Sequence, residues 1–184
     1  MIIAAVIGFV LSNLPAILLA LALLIAALRH GHGAPARRFL SWVLLLPIGV
    51  MFLWAAFYHL VLPGQAAAYI GWQPSPFQFE VGMADLAMGV TACLAFGRSL
   101  SFRAAVIWAT SISLLGDAAG HVQQMLATGN FAPGNAGTIF YMDIIAPLLA
   151  IALWLAAWRE QRRAEHHAEG GFGTDLGARL SRAP

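Results

Sequence analysis

The sequence has little charge, a single cysteine and no lysine. Charged residues make up 10% of the chain and hydrophobic residues 60%, and the mean hydropathy is +0.77. This composition excludes an ordinary soluble globular domain, in which about 25% of the residues are charged. With Cys93 as the one cysteine, an intrachain disulfide and a cysteine-based metal motif are also excluded. The net charge of +2 does not indicate nucleic-acid binding, because all ten arginines lie on one side of the predicted membrane.

Long apolar stretches are what the sequence has instead. Five of them are long enough to cross a bilayer, which takes about 17–25 residues each. They predict an all-α polytopic membrane protein, a bundle of five transmembrane helices forming one domain over 1–158. The first stretch is expected to be a retained helix, because it lacks the basic start and the cleavage site of a signal peptide. The polar, Gly-rich segment 159–184 is expected to be a disordered cytoplasmic tail. The predicted spans are about 2–28, 39–62, 77–96, 104–127 and 138–158.

The basic residues indicate how these helices are oriented. All ten are arginines. They lie in the first connection between predicted helices, in and next to the third connection, and after the fifth helix. The connections at 63–76 and 128–137 carry no charged residue. The positive-inside rule therefore places the N-terminus outside and the C-terminus in the cytoplasm of a multi-pass protein, expected in the bacterial inner membrane.

The stretch GWQPSPFQFEVGMAD predicts the outer end of the third helix. Ser75 is a good N-cap, Pro76 suits the first helical position, and Gln78 completes an S-x-x-Q capping box. The helix is therefore expected to begin near Pro76. Glu80 then lies one turn inside it and Asp85 about 12 Å inside.

A polar stripe about 100° wide runs along the fourth predicted helix. Asp117 and His121, four residues apart, lie one above the other and can meet a common partner. Gly116 and Gly120 are expected to let a neighbouring helix approach closely. Such a stripe faces protein or a water-filled cavity rather than lipid. Its members are Thr110, Ser113, Asp117, Gly120, His121 and Gln124.

The outer half of the predicted bundle holds four carboxylates and no lysine or arginine. Each intramembrane acid costs about 2.5–3.5 kcal/mol, and two histidines cannot neutralise four carboxylates. Either some carboxyl groups keep their protons, or a cation from solution lies among them. The residue types suit Zn, Fe or Mn, with copper less favoured. The predicted metal ligands are His59, Glu80, Asp117, His121 and Asp143, with Glu80 and Asp117 as candidate catalytic groups.

Four further residues are expected to support this site: Gln124, Asn135, Asp85 and Asn13. Asn135 belongs to the external loop TGNFAPGNAG, interpreted as a lid whose amide reaches the site, with an ordinary turn as the alternative. Asp85 points about 140° away from Glu80 on the helix, so a hydrogen bond to Asn13 is the preferred interpretation.

Three blocks, GWQPSPFQFEVGMADLAMG, LLGDAAGHVQQM and NFAPGNAGTIFYMDI, resemble a family of small bacterial membrane proteins known as a domain of unknown function. The resemblance covers roughly residues 39–150 and implies a polytopic helical membrane protein without implying an activity. The pattern of an external loop followed by FEVGMADLAMG is also similar to DoxX-like proteins. These are four-helix membrane proteins, one of which is linked to thiosulfate:quinone oxidation.

Three functions stay open at this point. The first is a membrane enzyme acting on a lipid or quinone-like substrate from the outer leaflet, with the metal as Lewis acid or redox centre. The second is a proton- or cation-coupled transporter or channel, since the polar stripe covers about 21 Å. The third is a structural or assembly subunit whose polar cluster locks helix packing; taken alone, His59 and Glu80 also suit structural roles at helix ends. The enzyme needs a site closed toward the cytoplasm, and the transporter needs polar residues that continue inward. No oligomeric state is predicted.

Overall fold

A computed structural model describes the main chain of residues 2–29 and 34–180 and, apart from Ala4, the side chains of 2–29 and 34–166. All regular elements in these ranges are helices, so the predicted all-α class is confirmed. A π-helical segment, Leu44–Val50, joins α3 to α4 without a break. The α-helices are α1 (Ile2–Ser12), α2 (Leu14–Leu28), α3 (Pro35–Val43), α4 (Met51–Val61), α5 (Pro63–Ile70), α6 (Phe77–Leu94), α7 (Leu100–Thr128), α8 (Pro133–Ala136) and α9 (Thr138–Leu180).

Within the described ranges, two helical segments are long and apolar enough to cross a membrane. They are Pro35–Val61, with 27 residues, and Pro133–His166, with 34 residues. A third candidate is the pair Ala5–Ser12 and Leu14–Leu28, which is bent by 69°. The remaining two predicted spans correspond to α6 and α7, in which acids, a histidine and glutamines lower the mean hydropathy.

The π-helical segment carries Pro47, which is buried. Because proline has no main-chain N–H and its ring collides with the preceding turn, a wider helical turn is one way to accommodate it. This segment and α4 pack against α6. At Gly89 of α6, a Cβ atom would lie 2.8 Å from the main-chain nitrogen of Leu53. Glycine is therefore what allows α6 to approach α4 this closely.

The predicted close approach at Gly116 and Gly120 of α7 is wrong for the described part of the chain. A Cβ atom added at either position would meet no atom within 4 Å. This helix packs mainly against α9 and more sparsely against α6. The helix face that bears the two glycines is therefore open.

An apolar core fills the half of the bundle that carries the arginines. It is built from α3, the π-helical segment, α4, α6, α7 and α9. Its largest fully buried side chains include Leu40, Leu44, Ile48 and Ile107. Ala146 and Ala150 of α9 belong to the same core, which separates the predicted outer site from the arginine-bearing end.

Two helix ends differ from the predictions. Phe77 is the first residue of α6, and the Ser75 hydroxyl accepts a hydrogen bond from its main-chain N–H at 3.2 Å, so Ser75 acts just before the helix. At the other end of the chain, α9 extends beyond the predicted boundary at 158 and ends at Leu180, while disorder of the 159–184 segment stays a prediction. Ala, Glu, Gln and Arg favour the helix there, and Gln161 Nε2 donates to Glu165 Oε1 at 2.8 Å.

Candidate functional site

A buried pair of ionisable side chains lies between α7 and α9. His121 is 6% exposed and Asp143 is 7% exposed. His121 Nε2 lies 3.6 Å from Asp143 Oδ2, which is too long for a hydrogen bond. Among the described side chains, Asp143 Oδ2 has no hydrogen-bond partner. The pair is thus close enough to interact electrostatically while leaving an oxygen unsatisfied.

Asn135 of α8 determines how the His121 ring is protonated. Its Oδ1 accepts from Trp72 Nε1 at 3.2 Å and lies 2.8 Å from His121 Nδ1. Its Nδ2 donates to the main-chain carbonyls of His121 at 3.2 Å and Asn130 at 2.8 Å. Rotating the amide by 180° would place oxygen against two carbonyl oxygens, so the orientation is unambiguous. His121 Nδ1 therefore carries a proton and donates it to Asn135 Oδ1.

This tautomer leaves the lone pair of a neutral His121 ring on Nε2, facing Asp143 Oδ2. A lone pair directed at an ionised carboxylate is repulsive, and burial would increase the repulsion. A stable pair therefore has a proton either on Nε2, as imidazolium and carboxylate, or on the carboxyl group of Asp143. The geometry makes the two residues a site that holds one exchangeable proton.

The two connections at 63–76 and 128–137, predicted to be external, are tied together over His121. Asn130 Nδ2 donates to the main-chain carbonyl of Ile70 at 2.9 Å, which ties the second connection to the end of α5. At Gly134 a Cβ atom would lie 2.7 Å from the main-chain oxygen of Tyr69, so only glycine fits there. The fully buried Asn135 next to it is thereby held against His121.

Two further aspartates extend the cluster toward the surface. Asp85 of α6 is buried, and Asp117 of α7 is exposed. Both carboxylates interact electrostatically with Asp143, and Asp117 also interacts with His121. Three helices thus bring three carboxyl groups and one imidazole into one region, with Asp117 as its accessible member.

The predicted hydrogen bond between Asp85 and Asn13 is wrong. Asn13 lies at the bend between α1 and α2, where it donates to the main-chain carbonyl of Phe9 at 2.9 Å. Its Oδ1 accepts from Thr138 Oγ1 of α9, also at 2.9 Å. The bend directs Asn13 to α9 rather than to α6, so it does not support the aspartate cluster.

The other predicted ligands lie elsewhere. His59 of α4 is near Gly82 of α6, where a Cβ atom would lie 3.1 Å from His59 Cβ, and its buried Nδ1 has no partner among the described residues. Glu80 is exposed. The side chain of Gln124, predicted to support the site, contacts its own helix, since its Oε1 lies 3.5 Å from Thr128 Oγ1.

The described residues include no group of three His, Cys, Asp or Glu side chains placed to hold one metal ion. The predicted centre of His59, Glu80, Asp117, His121 and Asp143 therefore stays a prediction that this arrangement does not support. Its strongest predicted pair, Asp117 with His121, does belong to the cluster, whereas His59 and Glu80 are not brought to it by any described contact.

A shallow groove between α6 and α7 begins beside the cluster. Ala87 and Met88 follow Asp85 within one turn of α6. The groove has a volume of about 150 Å³ and is lined by Ala87, Met88, Thr91, Val106, Ala109 and Thr110. Its surface is mostly apolar, so it is suited to a hydrocarbon chain rather than to a charged solute.

Two aromatic side chains around His121 were not predicted from the sequence. The ring centroid of Trp72 lies 5.9 Å from that of His121, and Phe140 meets His121 edge-on at 6.4 Å. Trp72 could have been found through its short spacing from the helix start, in the block GWQPSPFQFE. Phe140 carried no signal that separates it from core aromatics.

Comparison with known proteins agrees with the sequence blocks around this site. The sequence profile of a protein family of unknown function matches residues 12–163. This range includes Asp85, Asp117, His121 and Asp143, which together are called the His121 cluster. The chain belongs to this family, DUF6790. No curated protein and no solved structure matches it. Membership of DUF6790 confirms the predicted resemblance to an uncharacterised family and supplies no activity, so function has to come from the geometry.

Proposed function

We propose that this DUF6790 member crosses the bacterial inner membrane five times, with α6 and α7 as spans in addition to the three candidates. The polar residues that lower the hydropathy of these two helices include Asp85 and His121, which are buried against protein. Arginines are concentrated at one end of the bundle, which supports an external N-terminus and a cytoplasmic C-terminus. In this orientation the His121 cluster lies beneath the outer surface.

The proposed function is proton exchange with a lipid or quinone-like molecule that enters from the outer leaflet. The observation that carries this proposal is the His121–Asp143 pair, whose unsatisfied Oδ2 faces Nε2 at 3.6 Å. A purely structural pair would be expected to close to hydrogen-bond distance, because an unsatisfied buried oxygen costs about 1–3 kcal/mol. Keeping a proton loosely held in a buried pair is what general acid–base chemistry requires.

Asp117 and the groove give this pair a route to the ligand. The polar headgroup of the ligand would contact the exposed Asp117, and the apolar part would lie in the groove between α6 and α7. A proton would then pass between a headgroup oxygen and Asp117, the accessible carboxyl group, which interacts electrostatically with both members of the His121–Asp143 pair. Asp143 would hold the proton on the protein side.

The transporter alternative is less well supported. A path to the cytoplasm would have to cross the level of Leu44, Ile48 and Ile107, which are fully buried apolar side chains. A site open to one side and closed to the other fits an enzyme or a ligand-binding protein better than a channel. The structural-subunit alternative does not account for the unsatisfied oxygen of Asp143.

Crosslinking in nanodiscs tests the proposed ligand site. Purified protein would be illuminated with a photoreactive ubiquinone analogue or a photoreactive phosphatidylglycerol, and the labelled peptides mapped by mass spectrometry. We expect labelling to concentrate on α6 and α7 beside Thr91 and Thr110, and Ala87→Trp to remove most of it by filling the groove.

Ile112→Trp is the matched control, because Ile112 is 71% exposed on α7 and does not line the groove. Its labelling should equal that of the wild type. Equal labelling in the two tryptophan variants, or labelling spread over all exposed apolar residues, would contradict a specific site. Metal analysis of the same samples tests the metal-dependent version, in which stoichiometric Zn, Fe or Mn is lost in His121→Ala.

A further inference from the structure

A second cavity lies at the opposite end of the bundle, where α3, α7 and α9 meet. Its volume is about 480 Å³, within the range of about 300–1,000 Å³ that is usual for small-molecule sites. The lining residues include three arginines and one glutamate, which leave a formal charge of +2. The polar lining residues are Arg37, Arg38, Ser41, Arg103, Glu160 and Gln161. We call this cavity the inner pocket.

Arg103 forms a basic part of the wall of the inner pocket that is buried and held in place by hydrogen bonds. Its side chain is 4% exposed. Its Nε donates to the carbonyl of Ala95 at 3.2 Å, its Nη1 to the carbonyl of Arg37 at 3.1 Å, and its Nη2 to Ser41 Oγ at 2.8 Å. These bonds use three of the five guanidinium N–H groups, so donors remain for a ligand.

The charge of this wall is not neutralised within the described structure. None of the described carboxylates lies within 4.0 Å of the nitrogens of Arg37, Arg38 or Arg103. A buried guanidinium is normally paired with an anion, because removing an unpaired charge from water is costly. Neutral acceptors position Arg103 here without supplying that anion.

The two other arginines are held at the rim by single contacts. Arg38 Nε donates to the main-chain carbonyl of Ala26 at 2.7 Å, and Arg37 Nη2 donates to Gln161 Oε1. Most of their N–H groups therefore stay available. Glu160 also lines the pocket, and its buried Oε2 has no partner among the described residues. The Glu160 carboxylate lowers the net positive charge of the inner pocket but does not fill the cavity.

We propose that the inner pocket binds the phosphate group of an anionic phospholipid from the inner leaflet. Guanidinium groups match phosphate oxygens in bidentate fashion, and basic pockets between transmembrane helices on the cytoplasmic side bind anionic headgroups. The exposed Trp158 of α9, two residues before Glu160, marks the headgroup level. This inference depends on the proposed orientation and is independent of the His121 cluster.

The test is a titration of the full-length, detergent-solubilised protein with short-chain phosphatidylglycerol, followed by native mass spectrometry. Phosphatidylcholine and inorganic phosphate are the other two ligands. We expect preferential binding of phosphatidylglycerol, weakened about fivefold by Arg38→Gln, since one basic residue near the membrane surface contributes about that factor. Glu160→Gln should strengthen binding by a similar factor.

Arg159→Gln is the matched control, because Arg159 is exposed on the same helix and does not line the inner pocket. Its affinity should stay at the wild-type value. The opposite sign expected for Glu160→Gln separates specific binding from misfolding, since a misfolded variant cannot gain affinity. Equal losses in Arg38→Gln and Arg159→Gln, equal binding of phosphatidylcholine, or full competition by inorganic phosphate would each overturn the proposal of a lipid site.

Discussion

The two ends of the helix bundle bury charge in different ways. At the arginine-bearing end, the guanidinium of Arg103 is buried and donates to three fixed protein acceptors. At the opposite end, Asp143 is buried to a similar degree, yet one of its carboxyl oxygens has no partner among the described residues. Both groups are removed from solvent, but only Arg103 has a hydrogen-bond partner for each of its side-chain nitrogens.

This difference separates a charge that the fold holds with hydrogen bonds from a charge that it leaves partly unsatisfied. Hydrogen bonds from Arg103 to main-chain carbonyls tie α7 to α3, so its removal should weaken the bundle. Asp143 is held near His121 without a hydrogen bond, so we expect its charge to contribute no stability. The comparison predicts opposite effects of neutralising the two groups.

The largest effect is expected for Arg103→Leu. It removes three hydrogen bonds from a buried guanidinium, each worth about 1 kcal/mol, so we expect the free energy of unfolding to fall by about 3 kcal/mol. Equilibrium unfolding in mixed micelles measures the change. Arg98→Leu is the control, because Arg98 is exposed and should change stability by about 0.5 kcal/mol or less. Similar values for both variants would remove the structural role of Arg103.

A somewhat smaller loss is expected for Asn135→Ala. Trp72 Nε1, His121 Nδ1 and two main-chain carbonyls lose their partner, and we expect a loss of about 2 kcal/mol in the free energy of unfolding. Amide hydrogen exchange should also become faster in 71–76 and 129–137, the connections that cover the site. Unchanged exchange there would mean that the cover does not depend on Asn135.

Asp143→Asn should act in the opposite direction. An amide N–H in place of Oδ2 can donate to His121 Nε2, so we expect stability to rise by about 1 kcal/mol. The same variant should lose the exchangeable proton of the pair. A destabilisation as large as that of Arg103→Leu would contradict the distinction between the two ends.

The smallest effect is expected on the open face of α7. Gly116→Ala meets no described atom within 4 Å, so it should raise stability by about 0.5 kcal/mol through helix propensity alone. Gly89→Ala is the matched contrast, because its Cβ would collide with the main chain at Leu53 and should lower stability. A loss in Gly116→Ala would show that this face of α7 is covered by a partner.

The sequence was sufficient to predict how deep each polar side chain lies along its helix, but not the direction in which it points around the helix axis. His121 and Asp143 were predicted at one level and Asp117 a little deeper, and the three side chains interact electrostatically in the structure. Glu80 and His59 were predicted at the same level as His121. The direction in which their side chains point around the helix axis depends on how α6 packs against α4, which sequence periodicity does not determine. The described residues accordingly bring Asp85 to the cluster and leave Glu80 exposed.

Other differences have local physical causes. The bend at Asn13 directs its amide to Thr138. The length of the apolar stretch predicts one helix there and does not predict the bend. The arginines were interpreted as markers of orientation, although Arg103 lies within a helix and closes a pocket. Asn135 was expected to reach the site with its amide, but its particular contact with His121 Nδ1 depends on the tight fit of the neighbouring Gly134, which the sequence does not reveal.

The protonation of His121 is the most direct test of this account. Nitrogen-15 NMR of histidine-labelled protein in micelles, with the resonance of His121 assigned by its loss in His121→Gln, distinguishes the two ring nitrogens. We predict a proton on Nδ1 in the wild type, retained in Asp143→Asn with a bare Nε2 that accepts a hydrogen bond. A wild-type ring protonated at Nε2 and bare at Nδ1 would contradict the hydrogen bond to Asn135 and, with it, the shared proton.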